Sequence, residues 1–514
     1  MAADETREED APGGSPAWTR GAWIALAVLV LGALIHLPWR VCPWYDRTLV
    51  TADGAMYLIA AKSILAGEGY SYLGEPFTLR PPGLPLLVLP VMAVVGADMA
   101  VLSAFIGLVS VVCVALLFGY QRPRLGTLVA FAVAVAVWLN PGFQRLSNQV
   151  MSDVPGAALM FAGLLVDRWA RRRPSMRREL VLGVVTAAAC VMRSINVFLI
   201  PAIVLARAIE TWRTGEGERP WWRFALRRLV PVAAIPFLLM LPWSLRNAHE
   251  ASDAPAEHTL VHSYGVAMFH QDIGDPGSPL VTRAQFGTRV EHRVRDLGDV
   301  LGSRLQQRRG SATHRRIAWA ALACWAVVLV VRRRAGDFLT GAMILLVCVY
   351  FGFQPRLVLP IWLMVFPAVA QVALWALRPL VGARVAAPVV AALVLALGLW
   401  DFEPHFGWDK LRAQDEPFRE MAAWVEQNVP PERTLAAQFG GHWSVELDRP
   451  VYTLLAVLRR DGVPGANRFI EEHGVDGLIL NDKEPGDRPL IASVARFREP
   501  VARVGTYTYW SLRP

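Results

Sequence analysis

Two aspartates stand where a carboxylate can do chemistry. Asp53 opens the stretch ADGAMYLIAAKSIL, and Asp153 sits two residues before Pro155 in SNQVMSDVPGAAL. Such a carboxylate can take a proton from a substrate hydroxyl or hold a divalent cation. It can equally cap a helix by accepting bonds from the amides of the next turn. Four arginines add a second kind of chemistry: Arg80 before Pro81-Pro82, Arg193 in CVMRS, Arg246 in LPWSLRN and Arg356 in FQPRLVLP. A guanidinium can grip two oxygens of one phosphate. Taken singly, each of these arginines is as readily a headgroup contact or a snorkelling side chain. Which reading holds depends on whether the elements that carry them converge.

Those elements are mostly apolar. The 514 residues are 54% hydrophobic and 18% charged, against about 25% charged in a soluble domain. Residues 21–39, 100–121, 125–144 and 357–377 hold no Asp, Glu, Lys or Arg. Each run is near the ~20 residues that a bilayer-spanning helix needs. This pattern defines a polytopic α-helical membrane protein and excludes a soluble enzyme, a nucleic-acid-binding domain and a disordered chain. The net charge of +9 is therefore no nucleic-acid footprint. Of 52 basic residues only Lys62, Lys410 and Lys483 are lysines, a bias that fits a high-GC bacterial genome. Cys113, Cys190, Cys324 and Cys348 lie in apolar runs and Cys42 outside them, so no disulfide framework is expected.

Arginine-rich loops set the orientation, because short loops rich in Lys and Arg stay cytoplasmic. Five such loops contain Arg122 and Arg124; Arg168 to Arg178; Arg207 to Arg228; Arg332 to Arg334; and Arg378 with Arg384. About eleven spans keep all five inside: 21–39, 100–120, 126–143, 154–168, 179–192, 194–208, 229–246, 316–331, 338–354, 357–377 and 385–400. Residues 1–20, with Glu8, Glu9 and Asp10, then read as a disordered cytoplasmic tail. No cleavage pattern follows the first apolar run, which reads as an anchor. Residues 40–99 form a first outer loop and 248–315 a long one. Arg308, Arg309, Arg315 and Arg316 end that long loop on the outside, where the charge rule is weak. The apolar stretch 83–95 is too short to span and is expected along the outer surface. Residues 180–206 must form a tight hairpin of short helices with Arg193 at its apex, where it requires an anionic partner or a water-filled cavity.

Within the first outer loop, Asp53, Ala55, Tyr57, Leu58, Ala61, Ile64 and Leu65 have helical spacing, and Gly67 and Gly69 stop the helix. Pro81-Pro82 stiffen the backbone after Arg80. In order and spacing these residues resemble the GT-C superfamily of integral-membrane glycosyltransferases. The group they look most like holds lipid A aminoarabinose transferases and protein O-mannosyltransferases (glycosyltransferase family 39-like). The resemblance is carried by Asp53, Tyr57, Lys62, Gly67-Glu68-Gly69-Tyr70, Arg80-Pro81-Pro82, Asp153, Arg193, Arg246-Asn247 and Arg356, over most of 20–400. Arg-Pro-Pro stands where some relatives have Lys-Pro-Pro.

The resemblance implies transfer of a hexose or pentose, with inversion, from a polyprenyl-phosphate donor to a lipid, glycan or protein acceptor. It implies a site at the outer face of the bacterial plasma membrane, in contact with membrane lipids and with no nucleic acid. Asp53 is then expected as the base or acceptor-orienting residue, and Asp153 as its partner carboxylate. Tyr57, Arg80, Arg193, Arg246 and Arg356 are expected to bind substrate. No cofactor is assigned, and a divalent metal co-ligated by the two acids is an option. A transporter or lipid flippase is the runner-up, disfavoured because transporters hold ionisable groups near the bilayer midplane.

Two regions lie outside the resemblance. The long loop carries His258, His262, His270 and His292 at no recognised metal spacing. Loops of this length are often functional, and acceptor recognition is the expectation here. Residues 401–514 alternate helices (PFREMAAWVEQNV, ANRFIEEHG) with strands (RTLAAQF, RPVYTL, DGLILND, VARVGTYTYWSL), a small α/β domain expected outside the membrane. Phe439-Gly440-Gly441-His442 reads as a turn.

Overall fold

The computed structural model describes residues 18–41, 52–214, 225–250, 261–305, 311–400 and 408–513. Most of the expected N-terminal tail, Cys42, His258, Arg308 and Arg309 lie outside the described residues.

In lipid a backbone must satisfy its own polar groups, so the uncharged runs become helices. The first is α1 (Arg20–His36), capped by the Thr19 side chain. Next come α2 (Ala52–Leu65), a short hairpin β1 (Ser71–Tyr72) and β2 (Glu75–Pro76), and α3 (Gly83–Val95). The bundle continues with α4 (Met99–Leu125), α5 (Thr127–Leu139), α6 (Pro141–Asn148), α7 (Asp153–Arg172), α8 (Met176–Met192) and α9 (Leu199–Thr214). The remaining helices are α10 (Val230–Glu250), α11 (Tyr264–Phe269), α12 (Arg283–Gly302), α13 (Ala312–Arg332), α14 (Ala335–Val349), α15 (Leu359–Val381) and α16 (Ala383–Leu399).

Helices stand over every one of the expected spans. Among the described residues, six helices, counting adjoining turns, are long and apolar enough to cross a membrane unaided. The chain is a multi-pass membrane protein. The expected span 126–143 is broken into two helices. Asn140 leaves the helical region (φ −66, ψ 125) and its side chain caps the Phe143 amide at 2.9 Å. Pro141 then starts a new helix, and α6 departs from α5 at 63°.

The stretch 83–95 forms the short helix α3, packed against α2. Gly83 is pressed onto the last turn of α8: a Cβ there would stand 2.5 Å from Met192 Cα. The Arg-Pro-Pro-Gly segment therefore ties α3 to the turn that carries Arg193.

At the opposite end of the bundle the arginines do more than mark topology. Arg171 and Arg207 both bind Asp167, at 3.0 and 2.9 Å. Arg207 also reaches Glu179 at 2.8 Å, and Arg171 reaches Glu210 at 2.7 Å. Asp167 and Glu179 are buried. A buried carboxylate is tolerated only when paired, so this network locks α7, α8 and α9 together.

The C-terminal domain begins with α17 (Trp408–Asn428) and continues β3 (Leu435–Ala437), α18 (Gly440–Glu446), β4 (Val451–Thr453) and α19 (Leu455–Glu472). It ends with β5 (Gly477–Asn481), α20 (Asp487–Val494), β6 (Ala502–Val504) and β7 (Tyr507–Ser511). The sheet order is β4-β3-β5-β7-β6. The first three strands are parallel, with Ala436 opposite Tyr452 and Leu478, and the last two are antiparallel. Two expectations are corrected. VARVGTYTYWSL is not one strand but a hairpin around Gly505. Phe439-Gly440-Gly441-His442 is not a plain turn but the start of α18. Gly440 is required there because a Cβ would lie 2.3 Å from the Tyr452 carbonyl.

Phe418, Met421 and Val425 of α17 share one core with Tyr57, Leu58 and Ala61 of α2 and Leu84 and Val88 of α3. The domain is thus packed onto the first outer loop. Lys62 pairs with Asp448 across the same junction.

Asp487 is buried, and its carboxylate accepts the Asn481 amide at 2.7 Å. Burial pushes this carboxyl up to about 7, with Glu484 adding to the rise and the amide bond opposing it. A raised carboxyl disfavours the folded state once it must ionise, so stability falls as pH rises from about 4 through about 7. Hydrogen exchange in the whole protein, corrected for intrinsic rate, should show β5 amides more protected at pH 6 than at pH 8. Asp487→Asn should flatten that slope.

A candidate active site at one end of the helix bundle

Five charged side chains from separate elements meet in one line. Asp53 is in the first turn of α2, and Arg80 lies on the loop before α3. Asp153 is the first residue of α7, Arg193 lies in the turn between α8 and α9, and Arg356 lies in the turn before α15. Arg80 Nη2 donates to Asp53 Oδ1 at 2.6 Å, and Arg356 Nη2 donates to Asp53 Oδ2. Arg356 Nη1 stands 3.8 Å from Asp153 Oδ2, and Arg193 Nη1 donates to Asp153 Oδ1. The order is Arg80, Asp53, Arg356, Asp153, Arg193: charges alternate and the sum is +1. The Asp153 side chain is 1% exposed and Arg193 12%. The hairpin-apex arginine thus has its anionic partner.

Local structure holds each member in place. Asn196 Nδ2 donates to the carbonyls of Gly156 and Ala189, both at 3.0 Å, which pins the Arg193 turn to α7 and α8. Tyr70 Oη donates to the Arg80 carbonyl at 3.0 Å, and Arg80 Nη1 reaches the Tyr264 hydroxyl. Tyr57 lies 3.4 Å from Ser152 Oγ, joining α2 to the start of α7. Neither aspartate is a bare helix cap, because arginines occupy their carboxylate oxygens. Burial alone would raise the Asp53 carboxyl, but Arg80 and Arg356 hold it well below the ordinary carboxylate range. Burial lowers Arg80 and the Asp53 charge more than restores it, so Arg80 stays cationic.

A cavity of about 690 Å³ opens onto this line. Asp53, Tyr57, Arg80, Asp153, Arg193 and Arg356 all line it. Arg246 does not. It donates to the carbonyls of Phe77 (3.0 Å) and Tyr70 (2.8 Å) and to Asn247 Oδ1 (2.9 Å). Its guanidinium also lies 5.0 Å from the Trp243 ring centroid. Arg246, expected among the substrate-binding arginines, braces the β1–β2 hairpin that leads to Arg80. A second cavity of about 250 Å³ is lined by Arg145, Gln149 and Gln354. Asp53 and Arg356 line it as well, so this ion pair stands between the two spaces.

Other cavity residues carried no signal in the linear sequence. Tyr264 comes from the long loop and Tyr350 from the end of α14. Phe439, Gly441, His442, Thr453 and Arg459 come from the C-terminal domain. The domain residues follow β3 and β4, at the carboxyl ends of parallel strands, where open α/β sheets characteristically bind ligands. In the sequence Phe439-Gly440-Gly441-His442 reads only as a turn. Of the loop histidines, His270 Nδ1 bonds the Ser278 carbonyl at 2.7 Å, and neither His262 nor His270 lines the cavity.

The helix bundle with its docked α/β domain is a fold that solved membrane-protein structures share. One such structure is ArnT from Cupriavidus metallidurans bound to undecaprenyl phosphate. It is matched with a TM-score of 0.62 at 14% identity, over 96% of this chain and 98% of that one. A second is the oligosaccharyltransferase AglB from Archaeoglobus fulgidus, in complex with an inhibitory peptide and a dolichol-phosphate. Its TM-score is 0.51 at 13% identity, over 95% of this chain and 74% of that one. No protein-family model matches the sequence, and no curated protein matches it.

Arg246→Met keeps the apolar stem and removes the hydrogen bonds to the hairpin. Each such bond is worth about 1 kcal/mol or somewhat more, so the melting temperature in detergent should fall by several degrees.

Proposed function

We propose that this protein transfers a sugar from a polyprenyl-phosphate donor to an acceptor at the outer membrane face, with inversion. The observation that carries the reading is the alternating ion line, which leaves a cationic surplus inside a cavity large enough for a lipid-linked headgroup. The solved structures of the same fold hold undecaprenyl phosphate or a dolichol-phosphate. In this reading eleven spans keep the N-terminus and the arginine-rich loops inside the bacterial plasma membrane. The site and the C-terminal domain are then outside.

The reaction is a single displacement. The acceptor oxygen bonds the anomeric carbon as the bond from that carbon to the phosphate oxygen breaks. The acceptor proton passes to Asp53, and the electron pair departs with the phosphate, whose charge Arg80 and Arg356 neutralise. Asp53 starts as a poor base, since two arginines hold its proton affinity down. A donor phosphate competes for those same guanidiniums. As they turn to it, the proton affinity of Asp53 rises, so the donor itself readies the base. Arg193 keeps Asp153 neutralised, and Asp153 anchors Arg356. The pair of acids does not fit a dication as it stands, because Arg356 fills the space between the carboxylates. The proposed steps use none. The domain face with His442 and Arg459 lies over the cavity and serves the acceptor, which is a lipid, glycan or protein.

The test uses purified protein, undecaprenyl phosphate as the binding probe and radiolabelled polyprenyl-phosphate sugars as donors. Arg80→Gln and Arg356→Gln should weaken binding of the probe by about 10- to 100-fold. Asp53→Asn should keep binding yet lower transfer by at least about 100-fold. Failure of the wild type to bind the probe would sink the function, and equal transfer by Asp53→Asn would sink the base. Transfer should persist in excess EDTA.

A further inference from the structure

One buried arginine belongs to neither charge network. Arg40 closes the single turn that follows α1 and is 2% exposed. Its guanidinium stands 4.2 Å from the ring centroid of Trp138, a buried residue in the last turn of α5. His36, the last residue of α1, meets the same ring edge-on at 6.2 Å. Gly142, four residues beyond Trp138, lines the smaller cavity together with Asp53 and Arg356. The Arg40 group therefore stands at the ion-line end of the bundle.

These three side chains share a lack of acceptors. Arg40 Nε, Nη1 and Nη2 are all buried, and among the described residues none of them has a hydrogen-bond partner. Trp138 Nε1 and His36 Nδ1 are buried without a partner as well. The indole face offsets part of the cost of burying a guanidinium, and the carboxyl end of α1 adds a favourable dipole. Neither supplies a hydrogen-bond acceptor, and a buried charge without one is among the costliest features a fold can hold. Guanidinium and indole can only donate, and an imidazole donates from Nδ1 in one tautomer. One group rich in acceptor oxygens satisfies all three, and the cation makes an anionic group the best match.

The surroundings of His36 show how such a group arrives. His36 is partly buried, and beside it Ile35 and Trp39 are each 65% exposed. Val28 and Leu31 continue that exposed apolar stripe down α1, and tryptophan is the usual residue of the membrane interface. From this arrangement we infer that Arg40, His36 and Trp138 bind the phosphate of an anionic phospholipid from the leaflet at the ion-line end. Its acyl chains run along Ile35, Leu31 and Val28. The guanidinium is sealed, so binding includes a turn of the Arg40 side chain towards His36, the kind of rotamer change common at interfaces. Charge complementarity selects an anionic lipid over a zwitterionic one, and the apolar stripe selects a lipid over a free phosphate. Bound there, the lipid ties the end of α1 to the end of α5. The site needs neither donor nor acceptor, so it stands or falls apart from the transfer reading.

Delipidated full-length protein in a neutral detergent tests this, with phosphatidylglycerol and phosphatidylcholine added in equal amounts. Retained lipid is counted by native mass spectrometry, and the melting temperature is followed with each lipid alone. One phosphatidylglycerol should be retained in preference to phosphatidylcholine, and it alone should raise the melting temperature. Arg40→Met keeps the stem beside Trp138 and removes the charge. Without lipid this variant should melt higher than the wild type, because an uncompensated buried charge is gone. Phosphatidylglycerol should not raise it further, and its affinity for that lipid should be about 10- to 100-fold lower. Trp138→Phe keeps a ring and removes one donor, and should weaken retention about 2- to 10-fold. Arg384→Gln, at an exposed position at the opposite end, should change nothing. Equal retention of both lipids, or unchanged retention by Arg40→Met, overturns the inference. So does a lipid-free Arg40→Met that melts lower than the wild type, which would mean that the chain itself pairs the guanidinium. Equal stabilisation by inorganic phosphate would overturn the lipid as the ligand.

Discussion

A buried arginine or aspartate is tolerated only beside an opposite charge, and five such groups here pair in a row that leaves one positive charge over. Each comes from a different element, so none can be placed without the others. Asp153 requires Arg193, which fixes the α8–α9 turn against the start of α7. Asp53 requires Arg80 and Arg356, which draws the loop before α3 and the turn before α15 onto α2. Other local features serve this convergence. The two prolines stiffen the approach of Arg80, Gly83 lets α3 seat on Met192, and Arg246 braces the hairpin behind them.

The same row explains why the site is poised for anions rather than inert. With three cations and two anions, one positive charge is uncompensated, and the guanidinium pairs can be shared with an incoming phosphate. A carboxylate locked between two arginines is a weak base, so its usefulness depends on what those arginines bind. Structure and chemistry are therefore coupled through one set of hydrogen bonds: those that hold the site together are the ones an incoming anion would compete for.

The α/β domain belongs to this arrangement and is not a passive appendage. Its core is continuous with α2 and α3, and the ends of β3 and β4 complete the wall of the cavity. At the other end of the bundle the buried acids Asp167 and Glu179 tie α7, α8 and α9 to arginines that charge counting treats as orientation signals alone. One helix, α7, thus joins a binding end to a structural end.

The sequence by itself determined whatever depends on local composition. Uncharged runs of bilayer length become helices wherever they lie, so most of the length of the expected spans is helical, and Arg193 at a short hairpin apex implied a buried partner. The likeness to a glycosyltransferase fold was legible because Asp53, Arg80-Pro81-Pro82 and Asp153 sit at characteristic positions along the chain. Only the tertiary structure decided which arginine meets which acid, because pairing over separations of up to 303 residues leaves no mark in local pattern. It assigned Arg356 to both aspartates and Arg246 to a hairpin, though the two look alike in sequence. It also brought Tyr264 and His442 to the cavity and bent α5 from α6 at Asn140. Such outcomes follow from the mutual neutralisation of distant charges and the packing of distant surfaces, and both exist only once the chain has folded.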